Sequence, residues 1–214
     1  MNNKIITCLI FILFINITNS TELKSQINNS ILVKVGNSLI TAIDLENEIK
    51  TNLIINGQEL SQININNNKG YSVKNLINKS IKNAEINKFG ITNYNKQDLK
   101  KYVNKIAKNL NTNPIGLKKI FVQNNISYDY FIKNYEIELL WNTLIYQIYK
   151  NQISINIIDV ENEVKNFKGG NSETKTEIEV IKKNILYKKK EEKLTLFSRS
   201  HFSNLENTIT IDFK

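Results

Sequence analysis

The sequence has little of almost everything that builds a reactive site: one Cys, one His, one Trp, one Pro and, in Arg199, one arginine. One imidazole and one thiol leave no material for a metal centre ligated by His and Cys, or for a Cys–His dyad. The patterns G-x-S-x-G, G-x-x-x-x-G-K and H-E-x-x-H and the calcium-binding loop are missing, which removes the commonest hydrolase, nucleotide and metalloprotease readings. No catalytic residue, cofactor or metal is expected. His201 reads as a surface or half-buried side chain, because no acid or nucleophile stands at motif spacing from it. The shortage of arginine also counts against nucleic acid, since bidentate contacts to bases and phosphates are mostly an arginine property.

What the chain has instead is lysine, asparagine and isoleucine over 214 residues, with a formal charge of +9. The lysines are interleaved with Glu and Asp along several stretches. Lys182, Lys183 and the run Lys188 to Lys190 form the one dense cluster, and Glu191 and Glu192 follow it directly. A solvated helix face is the first reading of that cluster; an acidic partner or an anionic membrane surface is the second. No nucleic-acid partner is expected.

Residues 1–20, MNNKIITCLIFILFINITNS, have a polar start with Lys4, an apolar run from Ile5 to Ile15 and a small-residue exit through Thr18 and Ser20. That is the layout of a secretory signal peptide, and the run is shorter than the ~20 residues of a membrane span. Cleavage near Ser20 would leave an exported chain without a thiol and without stable membrane insertion. An uncleaved anchor is the alternative.

From Ile31 the elements are legible. ILVKVGNSLIT, residues 31–41, reads as a hairpin turning at Gly36 and Asn37. Thr41 with Asp44 predicts a capped helix over 42–55 whose inner face is Ile43, Leu45, Ile49 and Leu53. The polar stretch 61–70 reads as a loop. Ser72 then opens a helix with Val73, Leu76, Ile77, Ile81, Ala84 and Phe89 inside, closed at Gly90. Asn95 caps the next, and Asn113 with Pro114 starts a short one. Ser127 begins the longest apolar segment, a central helix touched on more than one side. A helix over about 157–167 follows, then the linker KGGNSETKT, a Lys/Glu-rich helix from Glu177 to about His201, and an alternating tail with Ile209, Ile211 and Phe213. The tail reads as an edge strand whose partner is the hairpin.

This layout resembles the core of the SurA family of periplasmic chaperones. The family's hairpin pattern, V-x-x-V-N-x-x-x-I-T-x-x-D-L, is similar to ILVKVGNSLITAIDLENEI, and its next helix end to NLINKSIKNAEINKFGI. VNKIAKNLNTNP, LKKIFVQNNISYDYFIKNYEIELLWNTLI, NQISINIIDVENEV and the final helix and strand follow in the family's order. Asn125 stands where that family has Gly, and Lys133 where it has Arg. Where the family carries parvulin prolyl isomerase domains, this chain has only the linker.

The resemblance implies a mainly α, multi-helical SurA/trigger-factor-like peptide-binding domain, with a small β-hairpin joined by the C-terminal strand. It implies a signal peptide at 1–20, a chaperone domain at 21–168, a linker at 169–176, and a C-terminal helix and strand at 177–214 that pack back. It implies a non-catalytic holdase for unfolded outer-membrane or other exported polypeptides, with the β-barrel assembly machinery as a further partner. The expected groove residues are the aromatics and one aliphatic of the central helix: Tyr128, Phe131, Tyr135, Trp141, Ile145 and Tyr149. A packed core would use the same six side chains. The rivals are a prolyl isomerase using His201 and a scaffold docking through the Lys182–Lys190 face.

Overall fold

The structure is a computed structural model that describes residues 29–167 and 175–214. The expected signal segment at 1–20, and the expected linker up to residue 174, lie outside the described residues. Residues 175 and 176, read as the end of the linker, already belong to the last helix.

Strands β1 (Ile31–Val35) and β2 (Ser38–Thr41) form the hairpin. Gly36, at φ 55°, makes the turn, and Ile209 lies so close that an added Cβ would meet it at 3.4 Å. A left-handed backbone beside a packed side chain favours glycine there. Thr41 then caps helix α1 (Ala42–Ile55) in a reciprocal capping box with Asp44. Helix α2 runs from Gln62 to Lys88, α3 from Lys96 to Asn109, α4 from Pro114 to Gln123 and the central α5 from Tyr128 to Tyr149. After a turn of 3-10 helix come α6 (Ile157–Phe167) and the long α7 (Lys175–Glu206). Strand β3 (Ile211–Phe213) pairs antiparallel with β1, matching Val33 to Phe213 and Val35 to Ile211, so the sheet order is β2-β1-β3. The protein is mainly α-helical with one small sheet.

The loop expected over 61–70 is helix instead. Ser61 accepts the Asn64 amide at 3.3 Å, Gln62 bonds Asn66 at 3.1 Å and the Asn68 side chain reaches the Asn64 carbonyl at 3.0 Å. Asparagine, a poor helix former alone, here finds partners one turn away. The inner face of α2 also differs from the expected stripe. Ala84 and Phe89 are exposed, whereas Glu85 and Ile86 are buried. On α1, Ile43 faces solvent and Glu48, Thr51 and Asn52 are buried.

Three apolar clusters surround α5 and the sheet. Phe131 joins Leu117, Phe121 and Ile126 at one end. Val33, Val35 and Ile40 of the sheet lie on Leu76, Ile77 and Ile81 of α2, with Phe202 and Leu205 of α7 against them. Trp141, Leu144 and Ile145 pack with Ile86 and with Leu194 and Phe197 of α7. A fourth cluster, Val160, Val164 and Ile185, joins α6 to the first half of α7.

Between these clusters lies a buried carboxylate. Glu48 of α1 is fully buried and its oxygens accept from Lys79 Nζ at 2.7 and 2.8 Å, Tyr130 Oη at 3.1 Å, Asn134 Nδ2 at 3.2 Å and Asn52 Nδ2 at 3.4 Å. The donors come from α1, α2 and α5. Replacing Lys79 by Met should strand the charge and destabilise the fold by about 3–5 kcal/mol, read by urea unfolding. An unchanged midpoint would show that the pair holds nothing. A chain ending at Gly170 loses β3 and α7 and should uncover Trp141 and the sheet face of α2. It should melt well below the whole protein and bind a hydrophobic dye; melting at the full-length temperature would make the C-terminal segment an appendage.

Candidate functional site

Helix α5 has apolar residues on several faces, and the structure shows why. Its first half packs on α3 and α4, its second on α2 and α7. Ser127 starts it by accepting the Tyr130 amide at 3.4 Å.

The six expected groove residues pack against different neighbours. Phe131 is buried, 5.0 Å from the Phe121 ring, and half-buried Tyr128 stands edge-on to Phe121 at 5.9 Å. Half-buried Tyr135 stacks on Tyr102 with centroids 3.5 Å apart and planes 5° apart. Trp141 and Ile145 are each 2% exposed, and the indole donates to Ser198 Oγ at 2.8 Å. Half-buried Tyr149 stacks on Phe197 at 4.7 Å. Each of the five aromatics therefore has a partner ring or hydroxyl within its own fold.

A cleft does exist beside α5. It lies between α5 and α7, has a volume of about 660 Å³, and is also lined by Asn95 and Asp98 at the start of α3. Leu139, Ile145 and Leu194 supply its apolar side. Tyr146 and Tyr187, 53% and 66% exposed, also line it, from α5 and from α7. The Thr143 and Thr195 hydroxyls, also in the lining, are turned back to the carbonyls of Leu139 and Glu191 at 2.9 and 2.8 Å. Glu191 and Arg199 complete the α7 wall, and neither makes an ion pair among the described residues. Of the six expected residues, Ile145 alone lines this cleft. The others in it, Tyr146, Tyr187, Glu191 and Arg199, are brought together by the register of α7 against α5, for which the sequence holds no local signal.

The walls are tied together behind the cleft. Trp141 bonds Ser198, as above, and His201 sits one turn further along α7. Its Nε2 is 3.2 Å from a Glu85 carboxylate oxygen and its Nδ1 is 3.0 Å from Tyr149 Oη. A carboxylate only accepts, so in the neutral ring Nε2 carries the hydrogen and Tyr149 donates to Nδ1. His201 is thus half-buried and held on both sides, a clamp from α7 to α2 and α5. The acidic partner lies 116 positions away in sequence, which is why spacing could not find it. The lysine cluster is partly spent: Lys182 and Lys189 pair with Glu161 and Glu163 of α6 at 3.7 and 2.8 Å. Among the described residues no group of His, Cys, Asp and Glu could hold a metal ion, and no helix is long and apolar enough to cross a membrane.

No protein-family model matches the chain, and no curated protein is similar enough to stand as a relative.

The Tyr102–Tyr135 stack makes a pH test available. Burial, then the neighbouring Tyr135 and Glu48, push the Tyr102 phenol up from 10.0 to about 12. The fold favours its protonated form, so this contribution is whole below pH 10 and is lost as pH rises through about 12. Stability should fall over that window, and Tyr102→Phe should fall less steeply, with Tyr94 still contributing through its bond to Glu136, which holds it near 12. Parallel alkaline unfolding curves would refute the assignment.

Proposed function

We propose that this chain is a SurA-like, trigger-factor-like holdase that binds unfolded exported polypeptides, outer-membrane proteins among them, without catalysis. The cleft between α5 and α7 is the binding surface in this reading. What carries it is the pairing of an apolar side with two exposed tyrosines contributed by different helices. Tyrosine offers a flat apolar body and a wet hydroxyl, which suits many sequences without selecting one. Glu191 and Arg199, which make no ion pair among the described residues, suit the polar remainder of a client. The order of motifs along the chain supports the same reading, as does the location expected from residues 1–20, the periplasm.

The physical demand on a holdase is release as well as capture. An open cleft with little apolar area gives weak binding, since association free energy scales at about 25 cal/mol per Å² of apolar surface removed from water. The tied walls keep the cleft preformed, so little ordering free energy is lost on binding.

The test is suppression of aggregation of an urea-diluted outer-membrane β-barrel protein. The protein should keep such a client soluble, and Tyr146→Ser combined with Tyr187→Ser should weaken client binding about tenfold or more while leaving the melting temperature nearly unchanged. No suppression by the native protein would end the holdase reading; suppression equal in the double variant would move the site elsewhere.

A further inference from the structure

Positive charge is concentrated in the packed pair α3 and α4, apart from the lysine cluster of α7. Between Phe89 and Tyr128 the chain carries seven lysines and one acid, Asp98, so most of the +9 surplus of the whole sequence sits there. All seven lysines are exposed. Lys101 alone of them makes an ion pair among the described residues, to Asp98 at 3.2 Å, whereas on α7 Lys182 and Lys189 are paired with Glu161 and Glu163. Lys101, Lys105 and Lys108 follow one another by a helical turn on the side of α3 opposite buried Val103, Ile106 and Ala107. Like charges at that spacing cost helix stability, and within this pair of helices only Asp98 offsets them.

The outer face of α4 adds a second feature. Leu117 and Phe121 are fully buried, and Ile115, Lys119 and Val122, at spacings of four and three, lie on the opposite side with Lys118 beside them. Ile115 is 72% exposed and Val122 60%, and no acid stands on this helix. The connection between the helices is held in shape: the Thr112 amide donates to the Ala107 carbonyl at 2.9 Å, and the Gly116 amide to Asn113 Oδ1 at 2.9 Å. Exposed aliphatics among unpaired lysines match a partner that is anionic at its surface and apolar just beneath. Phospholipid headgroups over acyl chains have that order, whereas an acidic protein face or a nucleic acid offers the charge without a yielding apolar layer. Lysine suits such a surface, because its stem lies in apolar surroundings while the compact ammonium stays wet among headgroups. We propose that α3 and α4 dock this protein on the surface of a bilayer containing anionic phospholipid. The inference does not rest on polypeptide binding and uses neither Tyr146 nor Tyr187.

The experiment is flotation with vesicles of phosphatidylcholine alone and of phosphatidylcholine with one-third phosphatidylglycerol. The full chain is measured beside the chain from Thr21, because the apolar run Ile5–Ile15 can partition into any bilayer by itself. Both forms should bind the phosphatidylglycerol vesicles more tightly than the neutral ones, and the excess should fall steeply as salt rises from about 0.05 to about 0.5 M. Each lysine held at an anionic surface strengthens binding about fivefold, so Lys118→Gln with Lys119→Gln should lose about tenfold or more. Ile115→Ser with Val122→Ser should also weaken vesicle binding, while leaving any binding of poly-L-glutamate or duplex DNA as it was. Lys183→Gln with Lys190→Gln on α7 removes the same charge and should cost far less. All these side chains are exposed, so the variants should melt with the native chain. No preference for phosphatidylglycerol, an equal loss from the α7 pair, vesicle binding indifferent to the Ile115 and Val122 changes, or tighter binding of poly-L-glutamate or DNA than of vesicles would each overturn the proposal.

Discussion

A carboxylate with no exposed surface holds three helices in register. Glu48 could not be buried alone, because an isolated charge in a protein interior is far more costly than any one packing contact can offset. It is tolerable only when Lys79, Tyr130, Asn134 and Asn52 all arrive at once, and they do so only if α1, α2 and α5 cross in one arrangement. Asn52 Nδ2 also donates to the fully buried Ser72, extending the network along α2. The apolar clusters on either side supply most of the burial, but they would accept small slips of one helix on another. The polar hub would not. Burial of Tyr130 beside Glu48 pushes its phenol upward, keeping it protonated as a donor to that carboxylate.

The second constraint is closure by the C-terminus. A two-stranded hairpin is marginal in water, and β1 gains a partner on its other edge only when β3 returns after more than 160 intervening residues. Gly36 and Lys214 fix the ends of that pairing through backbone bonds to Thr210 and Leu32, both at 2.9 Å. The same return lays α7 along α5. Its last turns cover the sheet cluster through Phe202 and Leu205, and its middle covers Trp141. One topological event thus completes the sheet, buries the only tryptophan and makes the cleft.

Structure and chemistry divide unevenly along α5. Its aromatic side chains look like a binding surface when read as a list, yet most serve cohesion: Phe131 and Tyr128 on α4, Tyr135 on α3, Trp141 and Tyr149 on α7. The residues left with exposed area in the cleft are those turned between the packed faces. A helix that is apolar nearly all round is placed in the middle, and what remains exposed is a narrow strip of it.

The sequence by itself determined where four of the helices begin. Thr41 with Asp44, Asn95, Asn113 with Pro114, and Ser127 each cap a helix as their local hydrogen-bonding chemistry dictates, and the turn at Gly36 needs only its own backbone. Local rules failed where partners came from one turn away in an unpromising composition, as with the asparagines of 62–70. Only the tertiary structure decided which distant side chains meet. Glu48, Glu85 and His201 are indistinguishable in sequence from solvated helix residues, and their roles arise from partners 31 to 116 positions distant on neighbouring helices. Tyr146 and Tyr187 share a cleft because of how helices rotate against one another. That rotation is set by the sum of many weak packing contacts and one buried charge, and no short stretch of chain encodes it.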